Sequence, residues 1–212
     1  MNDRSIRVRG SAKVSAAPDW VVILFDIESR QYSYTECMDQ LNEKTEHLRT
    51  ELQKVGLEKE NLKTKQFSIN TNFEWINSKN VFKGYKADHE MAVEFPFDKE
   101  YLNKVLHVLG KTESEASFDI VFQIKDAEPF RQQALAEAVK NCRQKAEVLA
   151  DAAGVKLGEL QNIDYSWSEI HFEHKMQVCE SEYSLKESAA PFNIEPEDIN
   201  ISDSVTAIWA IS

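Results

Sequence analysis

Gln66-Phe67-Ser68-Ile69-Asn70-Thr71-Asn72-Phe73-Glu74-Trp75 alternates side chains without a break, and that period of two specifies a strand with two unlike faces. Phe67, Ile69, Thr71, Phe73 and Trp75 share the dry side, while Gln66, Ser68, Asn70, Asn72 and Glu74 share the wet side. Asn77-Ser78-Lys79-Asn80 is turn chemistry. Beyond it the period resumes, with Val81, Tyr85, Ala87, Met91, Val93 and Phe95 opposite Lys86, Asp88, Glu90 and Glu94. The two runs predict a long antiparallel hairpin whose wet face is polar and acidic.

Upstream, the run from Trp20 to Glu28 places Val21, Ile23, Phe25 and Ile27 on one face of a second strand. Trp20, Val22 and Leu24 make its other face apolar too, so this strand is either central or turns its second face to a partner. A helix follows from Ser33, which stands at capping-box spacing from Glu36. Its stripe of Tyr34, Cys37, Met38, Leu41, Leu48, Leu52 and Val55 recurs at three and four residues, and Gly56 offers a left-handed stop. Residues 5 to 15 alternate as a further half-buried strand, which Ala17-Pro18-Asp19 breaks.

Downstream of Pro96, Asp98 is placed to cap a short helix through Tyr101, Leu102, Val105, Val108 and Leu109, ending at Gly110. Phe118, Ile120, Phe122 and Ile124 then mark a strand. Counted from Trp20, the order is strand, helix, strand, strand, helix, strand. This predicts an α+β fold with a ferredoxin-like βαββαβ core, an antiparallel sheet with helices packed on one face. Pro129 opens a long helix with a stripe of Leu135, Ala138, Val139, Cys142, Ala146, Leu149 and Ala153, and the alanines let it lie close against a sheet. Gly154 ends it, and Leu157-Gly158 leads into a strand with Ile163, Tyr165 and Trp167. Residues 168 to 192 lose all periodicity and are predicted to form a protruding or mobile loop. A last strand carries Ile199, Ile201, Val205, Ala207, Trp209 and Ile211.

Nothing in these 212 residues looks like a linker, so one domain spanning 1–212 is expected. Acidic side chains outnumber basic ones 36 to 25, and the formal net charge of −11 argues against nucleic acid or an anionic membrane as the main ligand. The wet face of the hairpin, with Glu74, Asp88 and Glu90, would repel a phosphate backbone. No run approaches the length of a membrane span, so no membrane insertion is expected. Cys37, Cys142 and Cys179 are odd in number and far apart, which does not suggest a disulfide framework. The first residues lack the apolar run of a signal peptide, so the chain reads as cytoplasmic as written, and as periplasmic if a leader was trimmed.

At this point the chain resembles the SIMPL-domain family, which includes bacterial periplasmic immunogenic proteins. The matching features are Ile6-x-Val8-x-Gly10 before Pro18-Asp19 and an apolar strand, then Gly84-Tyr85-x-Ala87 in the return strand. The helix with Ala134, Ala138 and Ala146 that ends in Gly154-x-x-Leu157-Gly158 matches too, as does Ile194-x-Pro196 before the last strand. Ala12 stands where the family usually has a second glycine. The resemblance implies an α+β fold, a tendency of some members to form ring-like or channel-like homo-oligomers, and no established enzymatic activity. The family name comes from a member that associates with a signalling kinase, a role these residues do not carry across.

For a metal, His171-Phe172-Glu173-His174 with Cys179, Glu180 and Glu182 supplies the right ligand types for Zn²⁺, but in a charged loop it lacks the fixed scaffold such a site needs. The expected reading is a solvated loop, and no cofactor is expected. His89 falls on the dry face of the hairpin between Ala87 and Met91, where a satisfied core or interface histidine is the bland reading. His47 and His107 have no partner that the sequence places beside them. No G-x-S-x-G, P-loop, G-x-G-x-x-G or C-x-x-C is present, so the corresponding hydrolase, nucleotide and redox readings lack their anchor. The sequence therefore points to a non-enzymatic binding or scaffold protein that self-assembles, with Trp20, Val22 and Leu24 as the candidate interface. The competing readings are a ligand- or metal-binding protein or enzyme with an unrecognised pocket, and an adaptor that docks a protein through residues 168–192.

Overall fold

The computed structural model describes residues 4–76, 78–111, 114–165, 175–176 and 192–212. Along the chain they form β1 (Ser5–Ala16), β2 (Trp20–Gln31), α1 (Tyr34–Gln53), β3 (Lys63–Ile76), β4 (Lys79–Pro96), α2 (Lys99–Leu109), β5 (Ser117–Gln123), α3 (Glu128–Ala152), β6 (Leu157–Asp164), β7 (Lys175–Met176) and β8 (Ile199–Ile211). The class is α+β, and the strand pairings are antiparallel. The strands divide between two sheets, ordered β1-β8-β6 and β3-β4-β2-β5-β7. The sheets belong to two compact units, one of Met1–Pro18, Ile124–Glu173 and Glu197–Ser212, the other of Asp19–Gln123 and His174–Pro196.

In the smaller unit, alternation along β1 and β8 turns Val8, Val205, Ala207 and Trp209 toward Ala138, Cys142 and Ala146 of α3. The alanine stripe brings the helix down onto the strand. Gly10 marks the contact: a Cβ there would stand 2.2 Å from the Ala138 carbonyl oxygen and 2.5 Å from Cys142 Cβ. Cys142 is fully buried, and its thiol donates to the Val8 carbonyl at 3.1 Å. The expected strand through Trp167 stops earlier, at Asp164, and Trp167 lies outside the described residues. Tyr165 follows, its hydroxyl donating to Asp203 Oδ2 at 3.0 Å.

The larger unit is built around β2, between β4 and β5. Val21, Ile23, Phe25 and Ile27 are fully buried with Ala87, Met91 and Val93 of β4 and Ile120 of β5, under Cys37, Leu41, Leu48 and Leu52 of α1 and Leu102 and Val105 of α2. Each large apolar side chain buried there contributes about 1.5–3 kcal/mol, so this layer dominates the unit's stability. The helices stop and start largely as their sequences specify. The Asp98 carboxylate accepts from the Tyr101 amide at 2.7 Å, capping α2, and Gly56 ends the turn after α1 with φ +85°. Ser33 stands at the N-cap of α1 but its hydroxyl makes no capping bond, so the expected box with Glu36 is not formed.

One assignment on the return strand changes. Val81 pairs with Glu74 and lies on the wet side, while Phe82 takes the place beside Tyr85. The cause is a bulge: Thr71 pairs with Tyr85 but Phe73 pairs with Phe82, so β4 has an extra residue there and its alternation shifts by one. Gly84 supplies it at φ +100°, where a Cβ would stand 2.2 Å from the Gln31 carbonyl oxygen. In the segment expected as a loop, β7 pairs with Ile120 and Val121. The rest of residues 168–191 lies outside the described residues.

Candidate interaction surface

His171, His174, Cys179, Glu180 and Glu182 lie outside the described residues. Among the described residues, no group of three or more His, Cys, Asp or Glu is placed to hold a metal ion. His47 and His107 are exposed on α1 and α2.

His89 is buried on the helix-facing side of β4 and satisfied at both nitrogens. The Thr45 hydroxyl donates to the Leu41 carbonyl at 2.8 Å, which leaves its oxygen to accept from His89 Nδ1–H at 3.3 Å. Nε2 then accepts from the Thr64 hydroxyl at 2.9 Å, an assignment made from the hydrogen-bond network. Burial, with a smaller contribution from the Arg49 charge, pushes the imidazole below its ordinary pKa. Phe67 closes over the ring at 5.4 Å, edge to face. This neutral histidine ties α1, β3 and β4 together and has no lone pair left for a substrate.

Trp20, Val22 and Leu24 lie half-buried on the outer face of β2, the face that α1 and α2 do not cover. Val22 sits between Glu94 and Val121, and Leu24 between Ala92 and Asp119. Trp20 Nε1–H donates to Glu94 Oε2 at 3.2 Å. Farther along the same face the residues become acidic. Asp26 pairs with Glu90 and Glu28 with Asp88 in the ladder. Lys86 bridges Glu28 and Asp88 at 3.0 and 2.6 Å, and Arg30 also pairs with Glu28. Burial, then the charges of Asp88 and Glu90, raise the Asp26 pKa. Burial works to raise that of Glu28 as well, but hydrogen bonds from Arg30 and Lys86 outweigh it and hold the carboxyl low. The apolar patch proposed from sequence is thus small and bordered by carboxylates.

The larger exposed apolar surface is at the end of the hairpin. Pairing of β2 with β4 ends at Gln31 and Tyr85, so among the described residues 79–84 of β4 pair only with β3. Those six residues span about 20 Å of two-stranded ribbon. Trp75 is 74% exposed there, Phe73 49% and, farther down the same strand, Phe67 46%. Phe82 meets Phe73, Tyr85 and Tyr32 edge to face at 5.6, 5.7 and 5.9 Å, and Tyr34 meets Tyr85 edge to face at 5.7 Å. Tyr32 and Tyr34 are exposed as well. Alternation puts Phe73 and Trp75 on the dry face but carries no direct sign that this face runs out of cover. The signal was present in the lengths: the hairpin strands span 14 and 18 residues, against 12 for β2.

Among the described residues, no helix is long and apolar enough to cross a membrane. The chain is 22% identical over 205 residues to an uncharacterized protein, YggE, of Edwardsiella ictaluri, covering 96% of this chain and 85% of that protein. It is 26% identical over 199 residues to the 26 kDa periplasmic immunogenic protein of Brucella melitensis, covering 90% and 77% respectively. A more partial match, 23% over 159 residues, covers 74% of this chain and 58% of the interleukin-1 receptor-associated kinase 1-binding protein 1 of Mus musculus. The family model described as SIMPL, protein of unknown function (DUF541), matches residues 6–209, and the chain belongs to the SIMPL family.

Proposed function

We propose that this protein has a non-enzymatic binding or scaffold role and acts as a homo-oligomer whose copies meet at the aromatic end of the β3–β4 hairpin. The observation that carries this is the exposed row of Phe67, Phe73 and Trp75 with Tyr32 and Tyr34 beside it. Contiguous exposed aromatic surface costs free energy in water and, in a soluble domain, marks an interaction site. Aromatic anchors also dominate the binding energy of protein interfaces. The non-enzymatic part is supported by His89, the buried imidazole, which is neutral and engaged at both nitrogens. Trp20, Val22 and Leu24 serve in this reading as a secondary contact. A periplasmic setting is supported by the name of the Brucella relative, and recovery of the native protein solely in the cytoplasmic fraction of its cells would overturn it.

Light scattering over a concentration series tests the assembly. The expected result is a mass above the monomer's 24.4 kDa that falls on dilution, and a Trp75→Ser variant shifted toward monomer. A wild-type protein that stays monomeric at high concentration removes the reading.

A further inference from the structure

Resting on that assembly reading, we propose that the partner seated on the hairpin is a second copy of this chain, joined edge to edge through β3 in an antiparallel pair centred on Asn70. β3 is the outermost strand of the five-stranded sheet, and among the described residues nothing pairs with its outer edge. An edge of this kind is a row of unmet backbone donors and acceptors, and proteins that must stay monomeric guard it with charges, proline or bulges. The other long edges here are guarded. β1 carries Arg7, Arg9 and Lys13, and β6 carries Glu159 and Asp164. The stretch Gln66–Phe73 of β3 has no charged residue, no proline and no break in its alternation.

The choice of a second copy follows from charge and pattern. In a chain of net charge −11, like molecules repel over most of their surface, so self-association favours a neutral contact. Gln66–Phe73 is one. Antiparallel pairing about a two-fold axis makes the same patch serve on both sides. Directly opposed residues must point to the same face, so the two-fold must fall on a residue and not between two. Centred on Asn70, Phe67 of each copy opposes Phe73 of the other, and Ile69 opposes Thr71. Both exposed phenylalanines gain an aromatic cross-strand partner of the kind that stabilises sheets. Asn70 meets Asn70 of the second copy on the wet face, where it is exposed in the single chain. The Lys65 bulge and Glu74 delimit the pairing at its two ends.

Asn70→Lys and Asn70→Glu test the pairing by sedimentation velocity. Each places like charges opposite one another at the two-fold, and each variant alone is expected to associate about tenfold more weakly than wild type. Mixed one to one, the two oppose Lys to Glu and association returns. For the register, oxidised Asn70→Cys forms a disulfide-linked dimer that oxidised Ser68→Cys and wild type do not. Wild-type association left unchanged in both charged variants, or a mixture no stronger than either alone, overturns β3 pairing while leaving assembly standing. A monomeric wild type instead overturns the assembly reading beneath it. Circular dichroism spectra matching wild type show that the variants are folded, as expected for substitutions at an exposed strand position.

Discussion

Replacing Gly10 with alanine tests the packing on which the smaller unit rests. A methyl carbon needs about 3.4–4 Å from its neighbours, and here it finds Ala138 O at 2.2 Å, Cys142 Cβ at 2.5 Å and Cys142 N at 2.6 Å. The shortfall is about 1 Å, and two of the three atoms are helix backbone. No rotamer change relieves it, so α3 must lift from β1. A lift of that size forfeits about a quarter to a half of each contact's dispersion energy along the alanine stripe. Overpacking typically costs about 1–3 kcal/mol where side chains can give way, so a backbone collision belongs near about 3 kcal/mol. For a chain of this length that corresponds to a fall of about 6–12 °C in Tm, read by circular dichroism on thermal unfolding. Adding Ala138→Gly restores little, because the clashing oxygen and nitrogen remain. A Gly10→Ala protein melting within about 1 °C of wild type, or one rescued by Ala138→Gly, refutes the close backbone approach.

Gly84→Ala is expected to cost about 3 kcal/mol, combining positive-φ strain with the Gln31 carbonyl, and urea denaturation should place its midpoint well below wild type. For His89 the folded imidazole has the lower pKa, so its contribution to stability is full above the unfolded value of about 6.5. That contribution is lost as pH falls through the folded value, because the unfolded chain takes up the proton first. Melting temperature against pH should show this step in wild type, and His89→Asn should lose it. Asp26→Asn removes a carboxylate opposed by Asp88 and Glu90, so Tm at pH 7 should rise and the gain should shrink in high salt. Trp20→Glu is expected to weaken self-association less than Trp75→Ser, by equilibrium sedimentation, because Trp20 is half-buried and Trp75 is 74% exposed.

The elements legible in the sequence are those whose period is local. The faces of β2, the stripe of α1, the Asp98 cap and the alanine face of α3 all follow from residues a few positions apart. Partnership between β1 and β8 was not legible, because Ser5 pairs with Ala210 across almost the whole chain and alternation says nothing about which strand lies alongside. An unbroken period carried through Gly84 puts Val81 on the dry side, but the bulge there shifts the phase. Ser33 and Glu36 had the right spacing for a capping box, but spacing does not fix a hydroxyl's direction. His89 was legible as a core residue because both neighbours on its face are apolar. Its two threonine partners were not, since Thr45 and Thr64 reach it from α1 and β3. Exposure of the hairpin end depends on where β2 stops, which is tertiary information carried only indirectly by strand lengths.

The claim that matters most is that the unguarded edge and aromatic row of β3 are covered by another copy of the chain. Sedimentation velocity of the wild-type protein from about 1 to about 100 μM, a range that brackets ordinary micromolar association, tests it most directly. The expected result is a sedimentation coefficient that rises with concentration, and a parallel series of Asn70→Lys in which the rise is displaced to about tenfold higher concentration. A single 24.4 kDa species across the whole range would contradict it.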